Sequence, residues 1–338
     1  MKNSQISIKE IARLSGVSVA TVSRVINNNG RFSEETRKKV LDIIEKYQYN
    51  TNSIAKSLRM NKSNTIGIIV PDISNEFFST IVHNIESYFF ERGFSTFICN
   101  TDKSKEKEKA YIKSLDSKMV DGIICISGQE EIEDSILSRD IPIACIDRRP
   151  RMSKNLAMVE SDHFMGGYLA TKHLIEKGCK DIILLSKKSN LSSVKDRIEG
   201  YKKALYEYSY PFSSESIVET INDSKHNIDN ARETIHRELI NGRTFDGVFA
   251  TNDWLALGVV RELISEGLDV PNDVKIVGFD DDTIASYSEI PLTTIRQNVH
   301  QIANVVSDVF YKLLTEEKVA KKRTYIKIPV ELIERETT

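Results

Sequence analysis

The chain has 338 residues, with 47 Lys and Arg against 49 Asp and Glu, and 40% of its residues are hydrophobic. This length exceeds what one compact core holds, so we expect two or three folded units. Neither a long apolar run nor a signal segment stands out, which argues against a membrane protein and predicts a cytoplasmic one.

Positive charge is concentrated at the start of the chain. Residues 1–62 hold 12 Lys and Arg against 5 Asp and Glu, whereas the rest holds 35 against 44. Because DNA is bound largely through its phosphates, this asymmetry indicates a DNA-binding segment at this end. A solvated helical surface that happens to be basic is the alternative.

The first elements have the pattern of a helix-turn-helix over residues 1–49. Ser7 begins a capping box that opens a short helix. Gly16 allows a tight turn, and Ser18 can cap a second helix. Ser33 opens a third helix, which would brace the other two. Such a wedge fits the major groove of DNA.

Residues 50–64 form a polar segment that can make about two helical turns. This is shorter than the roughly 12–15 residues that an isolated helix needs in water. We therefore expect a hinge that is helical only when something holds it, with a plain flexible tether as the alternative.

From residue 65 strands and helices alternate, which predicts an α/β body with parallel sheets covered on both faces. Two such series predict two lobes, with a ligand at the carboxyl ends of the strands. We place the N-lobe at about 65–161 and 292–322, and the C-lobe at about 162–291 and 323–338. Segments near 292–297 and 324–330 are expected to cross between the lobes.

These motifs resemble the LacI/GalR (lactose repressor) family over essentially the whole chain. The resemblance is carried by the runs Ser7–Arg24, Asn52-x-x-Ala55-x-x-Leu58, Thr251–Asp253, Gly278–Asp281 and Pro291–Ile295. It implies an all-α helix-turn-helix headpiece, a hinge helix and a two-lobed body like the type I periplasmic sugar-binding proteins. It also implies a homodimer on a pseudo-palindromic operator, without a cofactor.

For DNA contact, the resemblance implies the residues Ser18, Val19, Ala20, Thr21, Ser23, Arg24, Asn27, Asn52, Ala55 and Leu58. Val19, Ala20 and Arg24 would face base edges, since an arginine can donate two bonds to guanine. Leu58 would wedge into a base step from the minor groove, or else pack on its dimer mate.

For the ligand, the resemblance implies the residues Asn75, Phe77, Phe78, Asp147, Arg148, Arg197, Asn252, Asp280 and Gln297. Charged and amide groups that bond adjacent hydroxyls, with aromatic faces, suit a sugar. Other interpretations stay open: Phe77 and Phe78 as core residues at a helix start, and Asp253 as a helix cap. Asp281 and Asp282 are expected to form a solvated acidic turn and not a metal site.

Together these features predict a repressor of a sugar-utilisation operon, controlled by ribose or a related sugar. A purine-type corepressor-dependent or carbon-catabolite regulator, and a solute-binding module without regulatory role, are the alternatives. An enzyme is not expected, because no Walker loop, Gly-x-Ser-x-Gly motif or metal-ligand spacing occurs. Three of the four cysteines, Cys99, Cys125 and Cys145, lie in apolar strand-like runs and are expected to be buried, and all four are expected to be reduced.

Overall fold

The computed structural model describes residues 6–26, 28–47, 49, 62–128, 136–150, 156–221, 226–316 and 323–338. The chain divides into two compact units, residues 1–63 and 64–338. Each is described by itself.

The first unit is helical. Its helices are α1 (Ile8–Ser15), α2 (Val19–Ile26) and α3 (Glu34–Lys46). The Oγ atom of Ser7 accepts a hydrogen bond from the N–H of Glu10 at 3.3 Å, which caps α1. Gly16 ends α1 with φ 68°, a left-handed conformation in which a glycine carries little strain. The capped helix and its turn are as predicted.

Buried side chains join the three helices. The core consists of Ile11, Ala12, Val22, Val25 and Val40. Leu14, which the helical periodicity places on the inner face, is instead 41% exposed. An α-helix of only two turns offers one narrow apolar stripe, and here Ile11 and Ala12 occupy it.

The second unit contains two six-stranded sheets. The strands of the first sheet are β1 (Thr65–Val70), β2 (Ser95–Asn100), β3 (Gly122–Ile126), β4 (Ile143–Ile146), β5 (Leu156–Ser161) and β11 (Thr324–Ile328). Their order is β11-β5-β4-β3-β1-β2, with every pair parallel. Helix α4 (Glu76–Phe90) and helix α11 (Val299–Thr315) cover one face, and α5 (Lys105–Ser117) covers the other.

The second sheet repeats this plan. Its strands are β6 (Ile182–Ser186), β7 (Ile217–Glu219), β8 (Gly247–Ala250), β9 (Lys275–Asp280), β10 (Thr293–Gln297) and β12 (Val330–Ile333). Their order is β12-β10-β9-β8-β6-β7, and only β12 runs antiparallel to its neighbour in this set. Its helices are α6 (His163–Glu176), α7 (Ser192–Glu207), α8 (Asn227–Ile240), α9 (Asp253–Ser265) and the short α10 (Thr283–Tyr287).

The strand pairing corrects the predicted lobe boundaries. Residues 293–297, assigned to the N-lobe, form β10 and pair with β9 in the second sheet. Residues 324–328, assigned to the C-lobe, form β11 and pair with β5 in the first sheet. Each segment therefore completes the sheet of one lobe before the chain crosses to the other lobe. Local periodicity predicts a strand but does not determine which sheet edge receives it.

Among the described residues, no helix is both long enough and apolar enough to cross a membrane. Cys99, Cys125 and Cys145 are buried and free, as predicted, and Cys179 is buried and free as well.

Candidate DNA-binding face and interlobe site

Helix α2 has one apolar side and one exposed side. Val22 and Val25 pack in the core of the first unit. Along the same helix and its cap, the exposed predicted DNA contacts are Ser18, Val19, Ala20 and Arg24, while Thr21 and Ser23 are half-buried. The core therefore orients a row of predicted contact residues outward. Asn27, Asn52, Ala55 and Leu58 lie outside the described residues.

Local contacts order the two ends of this helix. The Oγ atom of Ser18 accepts from the N–H of Thr21 at 3.1 Å, which caps the helix. Beyond its end, Gly30 has φ 96°, and a Cβ there would lie 3.3 Å from Cδ of Arg24. Gly30 thus lets the following loop pass close to the stem of Arg24 and confines that side chain.

In the second unit, a buried histidine joins the two lobes. The Nε2 atom of His163, at the start of α6, lies 2.9 Å from Oδ1 of Asp147 at the end of β4. Nδ1 of His163 accepts from the guanidinium of Arg197 at 3.3 Å and 3.4 Å. With Nδ1 accepting from Arg197, Nε2 is the ring atom that donates a hydrogen bond to Asp147.

Close helix packing brings His163 and Arg197 together. A Cβ at Gly167 would lie 2.1 Å from the carbonyl oxygen of Arg197, and one at Gly200 would lie 2.0 Å from that of Phe164. Only glycine permits this approach of α6 and α7 without moving the backbone.

Arg197 extends the network to the carboxyl ends of the second sheet. Its guanidinium lies 3.4 Å from Oδ1 of Asp280, which also accepts from Nε2 of Gln297 at 2.7 Å. It donates to the carbonyl oxygen of Thr251 and lies 3.5 Å from the ring centroid of Phe279. Four predicted ligand residues, Asp147, Arg197, Asp280 and Gln297, therefore belong to one hydrogen-bonded network.

Burial and neighbouring charges shift the acidities in this network in different directions. Burial raises the pKa of Asp147, but the opposing effects of His163, the Ser161 N–H and Arg197 prevail and hold it below its ordinary value. Burial raises the pKa of Asp280, which Arg197 only partly offsets. Burial also lowers the pKa of Arg197.

Arg148 has a different set of contacts from Asp147. The backbone of Asp147 is left-handed, with φ 50°. The side chain of the following residue, Arg148, therefore contacts different residues. The Arg148 guanidinium pairs with Oε1 of Glu108 on α5 at 2.8 Å and is fully buried. Its Nε and Nη1 atoms have no hydrogen-bond partner. The predicted grouping of Arg148 with Asp280 is therefore not seen as a contact.

The two predicted asparagines are helix caps. The Oδ1 atom of Asn75 accepts from the N–H of Phe78 at 3.3 Å, and that of Asn252 accepts from Leu255 at 2.8 Å. Phe77 is 7% exposed and packs in the first-lobe core, so the structure favours the core interpretation for it. Phe78 is half-buried and packs against that core.

Two aspartates after β9 differ from the expected solvated turn. Asp281 pairs with Arg296 at 2.6 Å and with Arg335 at 2.7 Å. Asp282 is 5% exposed, and its N–H donates to Oδ2 of Asp253 at 2.8 Å. The prediction of a solvated acidic turn is wrong, because residues distant in sequence enclose it.

Asp253 does not cap α9 with its side chain. Its Oδ1 atom accepts from the hydroxyl of Thr294, while Oδ2 accepts from Asp282 N–H. Burial raises the pKa of Asp253 well above its usual range, and Asp280 adds to this. Asp253 thus fixes the loop after β9 to β10.

The lobes also make direct contacts beside this network. Oε2 of Glu76, on α4 of the first lobe, accepts from the N–H of Thr283 in the second lobe at 2.9 Å. Elsewhere, Arg149 forms ion pairs with Glu160 of the first lobe and Asp196 of the second. Both contacts require the lobes to be close together.

Sequence reasoning missed His163 as a site residue. The only signal was its position, since His163 directly follows the crossover out of β5. It also missed Trp254, the single tryptophan of the chain, whose side chain lies near Asp282. A tryptophan directly after the strand-end run Thr251–Asp253 could have marked it as a candidate.

Two family models match the chain. Residues 7–52 match the model for bacterial regulatory proteins of the lacI family. Residues 171–338 match the periplasmic binding protein-like domain. The first match includes the α1–α2 pair, and the second includes all six strands of the second-lobe sheet.

Similar proteins agree with both matches. The HTH-type transcriptional regulator RegA of Clostridium saccharobutylicum is 36% identical over 98% of this chain and 99% of its own. The ribose operon repressor of Halalkalibacterium halodurans is 32% identical over 98% and 97%. The solved Lac repressor dimer, bound to operator and the anti-inducer ONPF, is 25% identical with a TM-score of 0.81, over 98% and 99% of the two chains.

The chain combines a helix-turn-helix, whose predicted DNA-contact residues are exposed, with a two-lobed α/β body. This combination defines a DNA-binding transcriptional regulator. The body has the type I periplasmic-binding-protein fold. At this identity over nearly the whole length, the chain belongs to the LacI family of bacterial regulatory proteins.

Proposed function

We propose that this protein is a homodimeric repressor of a sugar-utilisation operon, released from its operator by ribose or a related sugar in the interlobe site. The observation that carries the proposal is the buried network from Asp147 through His163 and Arg197 to Asp280. It joins polar groups of both lobes at the carboxyl ends of parallel strands, where such folds bind ligands.

The chemistry of this network suits a polyol. Carboxylate, guanidinium and amide groups lie close together, so adjacent hydroxyls could accept from Arg197 and donate to Asp280. The half-buried Phe78 and Trp254 supply aromatic surface on the two lobes. The similarity to a ribose operon repressor supports ribose as the first sugar to examine.

Ligand binding would act by changing the arrangement of the lobes. The network and the contact from Glu76 to Thr283 both bridge the lobes. A sugar bound among these groups must therefore change the contacts that hold the two lobes together. A hinge helix too short to be stable alone would then form or melt in the dimer on its operator.

Exposed apolar residues give the dimer a candidate surface. Phe90 at the end of α4 is 70% exposed, and Ile98 on the edge strand β2 is 48% exposed. Unpaired edges and exposed apolar groups favour association. Phe90→Asp should shift sedimentation from dimer to monomer, and Ile240→Asp, equally exposed on α8, should not.

Calorimetry of the full chain with D-ribose tests the effector. Saturable binding that Asp280→Asn weakens supports the proposal, with the exposed Asp140→Asn as the matched control. Binding of hypoxanthine or guanine in place of any sugar would instead identify a purine-responsive regulator. Operator binding that needs an added phosphoprotein would identify a carbon-catabolite regulator.

A further inference from the structure

An ion pair joins the two lobes beside the buried network. Arg149 lies two residues after Asp147, just past the end of β4. Its Nη1 atom is 3.4 Å from Oδ1 of Asp196 on α7, and its Nη2 atom donates to Oδ2 of the same carboxylate. Asp196 directly precedes Arg197. The same two segments of chain therefore carry both this ion pair and the network that runs through His163.

The first lobe holds Arg149 by itself. Glu160 on β5, whose side chain is 2% exposed, accepts from Nε of Arg149 at 2.9 Å and from Nη2 at 2.5 Å. The hydroxyl of Tyr325 on β11 donates to the same carboxylate, and its ring centroid lies 5.9 Å from the guanidinium carbon of Arg149. A bidentate pair fixes the orientation of a guanidinium as well as its position. Arg149 is thus oriented towards the second lobe by residues of its own lobe.

Of the two carboxylates that pair with Arg149, Asp196 is the one that can separate. Its side chain is 21% exposed and that of Arg149 is 36% exposed. Opening a partly exposed pair costs little, because water solvates the released groups. Removing Arg149 from the buried Glu160 would instead leave an uncompensated charge. Separation of the lobes therefore breaks the pair with Asp196 and leaves the pair with Glu160 intact.

Helix α7 links Asp196 to the ligand network. Successive residues of an α-helix point about 100° apart, so Asp196 faces Arg149 while Arg197 faces Asp280. A Cβ at Gly200 would lie 2.0 Å from the carbonyl oxygen of Phe164, so α7 packs closely on α6 and moves with the second lobe. The distance between Arg149 and Asp196 thus determines how closely Arg197 approaches the first lobe.

We propose that Arg149 and Asp196 form an interlobe ion pair that positions Arg197 against the first lobe, and that closing this pair raises effector affinity and lowers operator affinity. Asp196 is a positioning residue, since it acts through α7. A contact made only when the lobes are close shifts the population towards that arrangement. The inference rests on the proposed function, in which the effector contacts both lobes and releases the operator.

The test uses full-length variants that leave each lobe intact. Asp196→Asn removes one charge of the interlobe ion pair but keeps Arg149 paired with Glu160. Glu199→Gln is the matched control, because Glu199 is exposed on the same helix and pairs with Lys202 of the same lobe at 2.8 Å. Asp196→Glu keeps the charge and should behave much like the natural chain. Melting temperatures establish that each variant is folded.

The first measurement needs no ligand. Trp254 is the single tryptophan and is half-buried near Asp282, whose neighbour Thr283 contacts Glu76 of the first lobe. Acrylamide quenching of its fluorescence should rise about twofold in Asp196→Asn, as the population shifts towards separated lobes, and stay unchanged in Glu199→Gln. Equal quenching in the natural chain and Asp196→Asn overturns the interlobe role of this pair.

The second measurement uses D-ribose and a selected operator duplex. Asp196→Asn should bind D-ribose about three- to fivefold more weakly, the upper end of the range for exposed ion pairs. Without ribose it should bind the operator more tightly, because coupling between the two sites is reciprocal. Glu199→Gln should change neither affinity, whereas Asp196→Glu should restore both.

The outcomes separate this inference from the proposed function. Weaker ribose binding by Asp196→Asn without tighter operator binding assigns Asp196 a local structural role and overturns the inference. Failure of the natural chain to bind D-ribose overturns the proposed effector. In that case quenching of Trp254 still decides whether the ion pair between Arg149 and Asp196 controls the separation of the lobes.

Discussion

The helix-turn-helix unit and the interlobe site both present polar groups, but they are stabilised in different ways. In the first unit, exposed residues such as Val19 and Arg24 project from a small apolar core, and each cap bonds a residue three positions away. In the interlobe site, buried groups bond partners 16 to 83 residues distant. Changes at the exposed face should thus alter binding, whereas changes in the network should also alter stability.

Loss of Arg197 is the largest expected effect. Arg197→Met leaves Asp147 and Asp280 buried without their guanidinium, which should destabilise the second unit by about 3–5 kcal/mol. Urea unfolding of the full chain measures this. The half-exposed Arg232, paired with Glu262, gives the control Arg232→Met, expected to lose at most about 1 kcal/mol. Equally small losses of stability in the two variants would contradict the stabilising role given to the buried Arg197 network.

Neutralising Asp282 should stabilise the protein in a pH-dependent manner. Its pKa is about 8 in the folded chain against 3.8 in the reference state, so the folded state binds the proton more tightly. Stability from this group is therefore greatest below about pH 4, falls as the pH rises towards 8, and is constant above that.

Asp282→Asn should raise the melting temperature little at pH 4 and by several degrees at pH 9, since each pKa unit corresponds to about 1.4 kcal/mol. Scanning fluorimetry from pH 4 to 9 measures the difference, with Asp140→Asn as control. A difference in melting temperature between Asp282→Asn and the natural chain that does not vary with pH would contradict the assigned burial of this carboxyl.

Arg24→Ala should weaken specific DNA binding by about 1–3 kcal/mol and leave non-specific binding nearly unchanged. Fluorescence anisotropy with a selected operator and a scrambled duplex separates the two effects. Arg13, exposed on α1, provides the control Arg13→Ala. An equal loss on both duplexes would mean that Arg24 contacts phosphate only.

Gly30→Ala is expected to have the smallest effect on operator affinity. Both Gly30 and Gly16 have positive φ, so alanine at either should cost about 1 kcal/mol of stability. Only at Gly30 would the new Cβ meet Arg24. Operator affinity, measured by anisotropy well below the melting temperature, should fall for Gly30→Ala and stay unchanged for Gly16→Ala. If both variants bind the operator with the same affinity, the proposal that Gly30 confines the Arg24 side chain is wrong.

Local signals were sufficient to predict the first unit. Ser7, Gly16 and Ser33 mark helix ends through bonds within three residues, and the structure has these ends as predicted. In the body, the alternation of strands and helices was also predictable, because hydrophobic periodicity is a local property of the sequence. The sheet that receives β10 or β11 was not, because that depends on pairing between distant segments.

The interlobe site was predicted in part. Asp147, Arg197, Asp280 and Gln297 follow strand ends, and the fold brings these ends together. The partner of Arg148 and the role of His163 depend on the approach of separate elements, such as α6 against α7 at Gly167. No local pattern contains that information.

The central claim is that a sugar in the interlobe site controls DNA binding, and titration of the full-length protein onto a selected operator duplex tests it most directly. The affinity is measured by anisotropy with and without saturating D-ribose, for the natural chain and for Asp280→Asn. We predict that ribose lowers operator affinity at least tenfold in the natural chain and much less in the variant. An operator affinity that ribose binding leaves unchanged would contradict the account.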